Sequence, residues 1–279
     1  MLEALQFAFM RNALAAGVLV SIACGIIGTY VVVNRIVFVS GGIAHAAYGG
    51  IGLAYFVGAD PTLTAVGFSL LSATLMGIVH RQTRERADTI IGVIWAFGMA
   101  LGVILVDLTP GYKADLMSYL FGSILAVPTR DLWLMLAVDL LVLVVVTLLY
   151  KEIVAVSFDE TFATVRNVPV GLVYFCMLLL TALTVVMMMR IVGLIMVIAL
   201  LTIPAAISGQ FVSGMRKMML VSSVLGIIFA VLGLWLSYEL NLTSGATIIM
   251  VAVAGYLVSL GARYLLGWRR RRAGAASAA

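Results

Sequence analysis

Charge is the first thing this chain lacks. Only 10% of its 279 residues are Asp, Glu, Lys or Arg, against about 25% in an ordinary soluble domain. So few charged groups could not clothe a soluble surface of this size, which excludes a soluble enzyme. A disordered chain is excluded too, because such chains are charge-rich and poor in apolar residues. Cysteine is almost missing. Cys24 and Cys176 both fall inside apolar stretches, where a thiol is by default a small buried hydrophobe, so no disulfide scaffold is expected. The N-terminus has no basic region followed by a short apolar stretch and a cleavage site, so no removable signal peptide is expected either. Catalytic signatures are absent as well: no phosphate-cradling glycine loop with Lys and Ser/Thr, no paired metal-binding Cys or His, no nucleophile elbow. No catalytic residue is therefore assigned, and any ATP hydrolysis has to come from another chain.

Apolar residues are what the chain has in excess. They make up 64% of it, and the mean hydropathy is +1.20. This is the composition of a polytopic membrane protein, and the expected fold is an all-α bundle forming one transmembrane domain over residues 1–279. Stretches of about 20 mostly apolar residues, the length of a membrane helix, lie at 12–33, 36–57, 62–80, 89–107, 132–150, 170–189, 191–212, 218–238 and 244–266. The stretch 170–212 is interrupted only by Arg190 and is too long for one helix, so a tight turn is expected there. Pro204 is a second possible break, within the seventh span.

Basic residues orient the spans. With the run Arg269 to Arg272 on the cytoplasmic side, facing anionic lipid and not nucleic acid, alternation puts Arg216, Lys217, Lys151, Arg166, Arg81, Arg84, Arg86 and Arg35 inside. Asp60, Glu239 and the stretch 108–131 fall outside, as does the N-terminus. Residues 115–123 of the outer stretch are amphiphilic enough for a short helix dipping into the membrane edge. The cytoplasmic stretch 151–169 carries Phe158, Phe162 and Val165 at spacings of four and three, one face of a short helix lying across the membrane surface.

Polar groups inside spans are costly and are functional candidates by default. His45 lies in Ser40-Gly-Gly-Ile-Ala-His-Ala-Ala-Tyr-Gly-Gly-Ile-Gly52. Gly41 and Gly49 sit four residues either side of it on one helical stripe, leaving a notch in which the imidazole, a usual ligand of first-row transition metals, would be reachable. Gly42, Ala46 and Gly50 form a second small-residue stripe suited to close helix packing. The competing role for His45 is a hydrogen bond to a neighbouring helix. Asp139, near the middle of the fifth span, either lines a pathway or pairs with a hydroxyl or Arg190. His80 is expected at a membrane edge, and Met187, Met188 and Met189 point three ways on a helix and are expected to pack.

Several of these stretches together resemble one family, the membrane permeases of zinc, manganese and iron uptake ABC transporters. They are Gly-Gly-Ile-Ala-His45-Ala, Asp88-Thr-Ile-Ile-Gly-Val, Asp115-Leu-Met-Ser-Tyr-Leu-Phe-Gly-Ser, Phe158-Asp-Glu and the run Val192 to Ala206, in order along nearly the whole chain. The resemblance implies a metal-chelate-type importer permease of the bacterial or archaeal cytoplasmic membrane. It implies a homodimer with the metal path at or near its interface, two ATPase subunits, and an extracytoplasmic binding protein that delivers the metal. No cofactor is implied as permanently bound; the divalent metal ion is cargo. Phe158, Asp159, Glu160, Phe162 and Arg166 would then belong to a coupling helix inserted into the ATPase, and Gly41, Gly42, Gly49 and Gly50 to packing around the path. Many members carry Asp four residues before the matching His; here that position is Gly41, which favours zinc or another nitrogen-preferring ion over manganese. The rival readings are an ion-coupled secondary transporter of a small solute, which should show two similar halves, and a membrane-embedded enzyme, which would need more deep acids or histidines.

Overall fold

A computed structural model describes residues 6–82, 87–110, 120 and 122–276. Within lipid every backbone N–H and C=O has to be paired inside the segment, and apolar runs of this length can do so only as helices. Accordingly, the described residues hold helices and no strand. In chain order these are α1 (Ala8–Val33), α2 (Val37–Val57), α3 (Pro61–Gln82), α4 (Ala87–Leu108), α5 (Thr129–Leu148), α6 (Tyr150–Phe158), α7 (Glu160–Val165), α8 (Val170–Val192), α9 (Leu194–Phe211), α10 (Met215–Leu240) and α11 (Ser244–Ala276). Among the described residues nine of them are long and apolar enough to cross a membrane, in the same order as the nine expected spans.

The helices fall into two groups. In one, α2 packs on α4 and on α3; in the other, α1 packs on α9, α10 and α5, with α11 against α9 and α10. Helix α8 lies between them, touching α1, α2, α3, α5 and α9. Polar contacts sort the helix ends into two sets. At one end Asn34 donates to Ser157 (3.0 Å), His80 meets Tyr174 and the Arg216 backbone N–H reaches the Tyr150 hydroxyl (3.1 Å). At the other, Asn12 donates to the Val127 carbonyl (3.1 Å) and Arg190 to the Thr62 hydroxyl. These are the sets that alternation assigns to inside and outside.

Of the two expected breaks, the turn near Arg190 is present and the one at Pro204 is not. Helix α8 runs through Arg190 and stops at Gly193, whose φ of 89° and ψ of 149° suit glycine and few other residues. The Gly122 backbone of the outer stretch packs against Val192 and Gly193, so a side chain at Gly122 would collide with main chain. Pro204 does not break α9, which is continuous from Leu194 to Phe211. Of the expected dipping helix, residues 111–119 and 121 lie outside the described residues. The part that follows forms a single tight turn, Ile124–Ala126, with Ile124 buried against α1.

Candidate functional site

Helix α2 contains Gly41, Gly42, Gly49, Gly50 and Gly52, although each glycine in a helix interior costs about 1 kcal/mol relative to alanine. Close packing offsets that cost. A Cβ at Gly42 would lie 2.7 Å from Ile91 Cγ2, and one at Gly50 2.7 Å from Ala65 Cα. From the other side, a Cβ at Gly98 would come within 2.6 Å of Ala46 Cα, and Gly52 meets the Gly102 backbone. Helices α2 and α4 thus run side by side in the same direction, almost main chain to main chain.

His45 stands at this seam. Its imidazole lies flat against the Trp95 indole of α4, with ring centroids 4.1 Å apart and planes 15° apart. The indole N–H points along its own helix to Met99 Sδ (3.1 Å), and Phe38 covers it from one side at 5.9 Å. The His45 ring is half-buried, and its Nδ1 is buried without a hydrogen-bond partner. Such an orphan costs roughly 1–3 kcal/mol, which a merely structural histidine would avoid. The competing role, a hydrogen bond to a neighbouring helix, is not formed at Nδ1 among the described residues.

The notch is open on one side only. Around the Cβ position of Gly41 there is nothing within 4 Å, whereas at Gly49 the Phe68 ring would stand 2.7 Å from an added Cβ. Of its two expected roles, keeping the imidazole reachable and packing, Gly49 has the packing one, because the α3 aromatic fills the space its missing side chain leaves. Gly42 and Gly50 pack as expected; Gly41 packs against nothing. Trp95 and Phe68 escaped the sequence reading. Their only signal was an aromatic at the depth of His45, and which helices meet there is not legible from one span alone.

Asp139 is 3% exposed in the middle of α5, with both carboxylate oxygens buried and lacking a hydrogen-bond partner among the described residues. The expected pairing with Arg190 is not formed: that guanidinium is at the helix end, with Thr62. Across the α1–α5 contact the fully buried Cys24 thiol lies within the carboxylate's electrostatic reach. His80 is at a helix end as expected, 3.3 Å from the Tyr174 hydroxyl, whose ring lies under the Arg81 guanidinium at 5.4 Å. Met188 and Met189 are buried in the core. Among the described residues no three His, Cys, Asp or Glu converge as a metal cage.

Residues 151–169 form two short helices in place of one. Asp159 breaks α6 from α7 and caps the latter by accepting the Phe162 N–H (2.9 Å), as an Asp N-cap does. Phe158 therefore ends α6, while Phe162 and Val165 belong to α7. Glu160 sits in the first turn of α7, and Arg166 closes its end with the guanidinium 5.3 Å over the Phe162 ring. Phe158, Phe162 and Val165 are 67%, 53% and 78% exposed. Apolar exposure on the spans faces lipid, but these residues lie beyond them, so a lipid surface or a protein has to cover them.

Residues 6–263 match the ABC 3 transport family, and the chain belongs to that family. It is 57% identical over 263 residues to an uncharacterized membrane protein of Synechocystis sp., covering 94% of each chain. It is 32% identical over 255 residues to the manganese transport system membrane protein MntC of Listeria monocytogenes, covering 91% of each. Among solved structures it resembles PsaBC from Streptococcus pneumoniae in complex with Fab, with a TM-score of 0.83 at 30% identity over 92% of this chain and 93% of that one.

Proposed function

We propose that this chain is the permease subunit of an ABC importer that moves a divalent transition metal ion, zinc, manganese or iron, across the cytoplasmic membrane. The observation that carries the reading is the orphaned Nδ1 of a half-exposed imidazole in a span, beside the open space at Gly41. The metal is cargo. Transport needs release as well as capture, so a contact with few ligands suits it better than a closed four-ligand site. Relatives named for manganese transport support the substrate class. Membership of the ABC 3 transport family leaves the ion-coupled secondary transporter without support.

ATP hydrolysis comes from a separate ATPase subunit, to which α7 and the end of α6 present Phe158, Phe162 and Val165. Asp159 and Arg166 hold α7 in shape, and Glu160 adds a charge beside the apolar face. A second copy of the chain and an extracytoplasmic metal-binding protein complete the importer. A test of the coupling assignment is Phe162→Asp, with membrane level as control. An anchor of this kind is worth about 2 kcal/mol or more, roughly thirtyfold in affinity. The variant is expected to reach the membrane, lose the ATPase on purification and lose uptake of radiolabelled zinc and manganese. Normal ATPase co-purification and uptake would remove α7 from the coupling role.

A further inference from the structure

We propose that Trp95 is a positioning residue that sets the metal affinity of His45; the inference rests on the reading of His45 as a metal contact. The indole covers one face of the imidazole at 4.1 Å and near-parallel. The lone pair of the unprotonated ring nitrogen lies in the ring plane, so a stack of this kind leaves it free for a ligand while preventing the ring from turning across that plane. Its own N–H is taken by Met99 Sδ, so the indole offers the imidazole only its π face. With no hydrogen bond at the buried Nδ1, that face is what orients the ring.

Stacking also discriminates between bound and free states. A divalent metal draws electron density out of the imidazole and leaves the ring partly positive. Tryptophan has the best π face of any side chain for a positive charge. The contact is therefore stronger when His45 holds metal than when it is empty and neutral, and only such a difference raises affinity. The open space at Gly41 and at Gly92, neither of which has an atom within 4 Å of its Cβ position, lies one helical turn from His45 and from Trp95 respectively. An ion can reach the ring edge there without displacing the indole.

The test uses the full-length chain in lipid nanodiscs with zinc alone as the probe, read as an equilibrium Kd near neutral pH. With Trp133→Phe, Trp235→Phe and Trp268→Phe as background, fluorinated tryptophans at position 95 withdraw ring electron density while keeping shape. Zinc affinity is expected to fall stepwise with fluorination. Trp95→Leu is expected to weaken it about fivefold, an ordinary cation–π contact converted to an equilibrium ratio. An unchanged Kd across the fluorinated series overturns the proposal, even if Trp95→Leu fails to fold. His45→Ala separates the two readings. Unaltered zinc binding in that variant overturns the metal contact itself, and the role of Trp95 with it.

Discussion

His45 and Asp139 are both ionisable, both inside spans and both without a hydrogen-bond partner on a buried atom, yet their surroundings differ. His45 is half-buried, stacked on an indole, with open space one turn away at Gly41. Asp139 is sealed at 3% exposure, with the Cys24 thiol of α1 as its titratable neighbour. An unsatisfied polar atom is a cost in either place. Only beside His45 is there room for something to repay it. Depth and polarity single out both residues, and free volume separates them.

The largest expected effect falls on His45. His45→Ala should reduce metal uptake to background with no loss of folded protein, and His45→Gln should not restore it, since an amide is a poor transition-metal ligand. Full transport by the glutamine variant would reduce His45 to packing and erase the contrast. Next comes Gly41→Asp, which places a carboxylate in the open space one helical turn from His45. It should fold normally and shift preference toward manganese relative to zinc, measured by competition uptake. An unchanged preference would move selectivity to the delivering protein.

Asp139 should answer oppositely. Asp139→Leu removes a buried, unpaired polar group for an apolar one of similar volume, so the purified protein should melt several degrees higher while still transporting. Loss of uptake in a well-folded Asp139→Leu would return the carboxylate to the pathway. The smallest effect belongs to Asp60, a carboxylate outside the spans whose Oδ1 accepts two backbone N–H groups. The backbone N–H groups of Leu63 and Thr62 hold its carboxyl below the usual carboxylate range. A depressed folded pKa gives stability that is present above the unfolded value and lost as pH falls through the folded one. The melting gap between wild type and Asp60→Ala should therefore be steady from mild acid upward and narrow only below about pH 4.

Much of this was legible in the chain. Nine spans and their order follow from hydropathy, because lipid leaves an apolar run no structure but the helix. The turn expected near Arg190 falls just after it, at Gly193, for a physical reason. A long guanidinium at a helix end reaches the Thr62 hydroxyl and need not break the helix, while Gly193, which does, carries no side chain to signal it. Pro204 misleads in the other direction, since a membrane helix tolerates proline when neighbours pack around the gap. The site was half legible. His45 and Gly41 were readable from one span, but Trp95 and Phe68 arrive from α4 and α3, and no periodicity within α2 reports what fills the space beside Gly49.

The glycine contacts of α2 also constrain how the protein can move. At Gly52 and Gly98 the main chains of α2 and α4 nearly touch, and at Gly50 the same is true of α2 and α3. Sliding one of these helices by a single residue would drive side chains into backbone, so the three travel as one block with the His45–Trp95 stack inside it. If His45 is the metal contact proposed above, rearrangements that present it to either side of the membrane would fall at the block's boundary with α8. There the contact at Gly77 is made by the side chains of Leu178 and Phe175, which can change rotamer. The Thr62–Arg190 and His80–Tyr174 pairs tie α3 to α8 at opposite ends of that boundary.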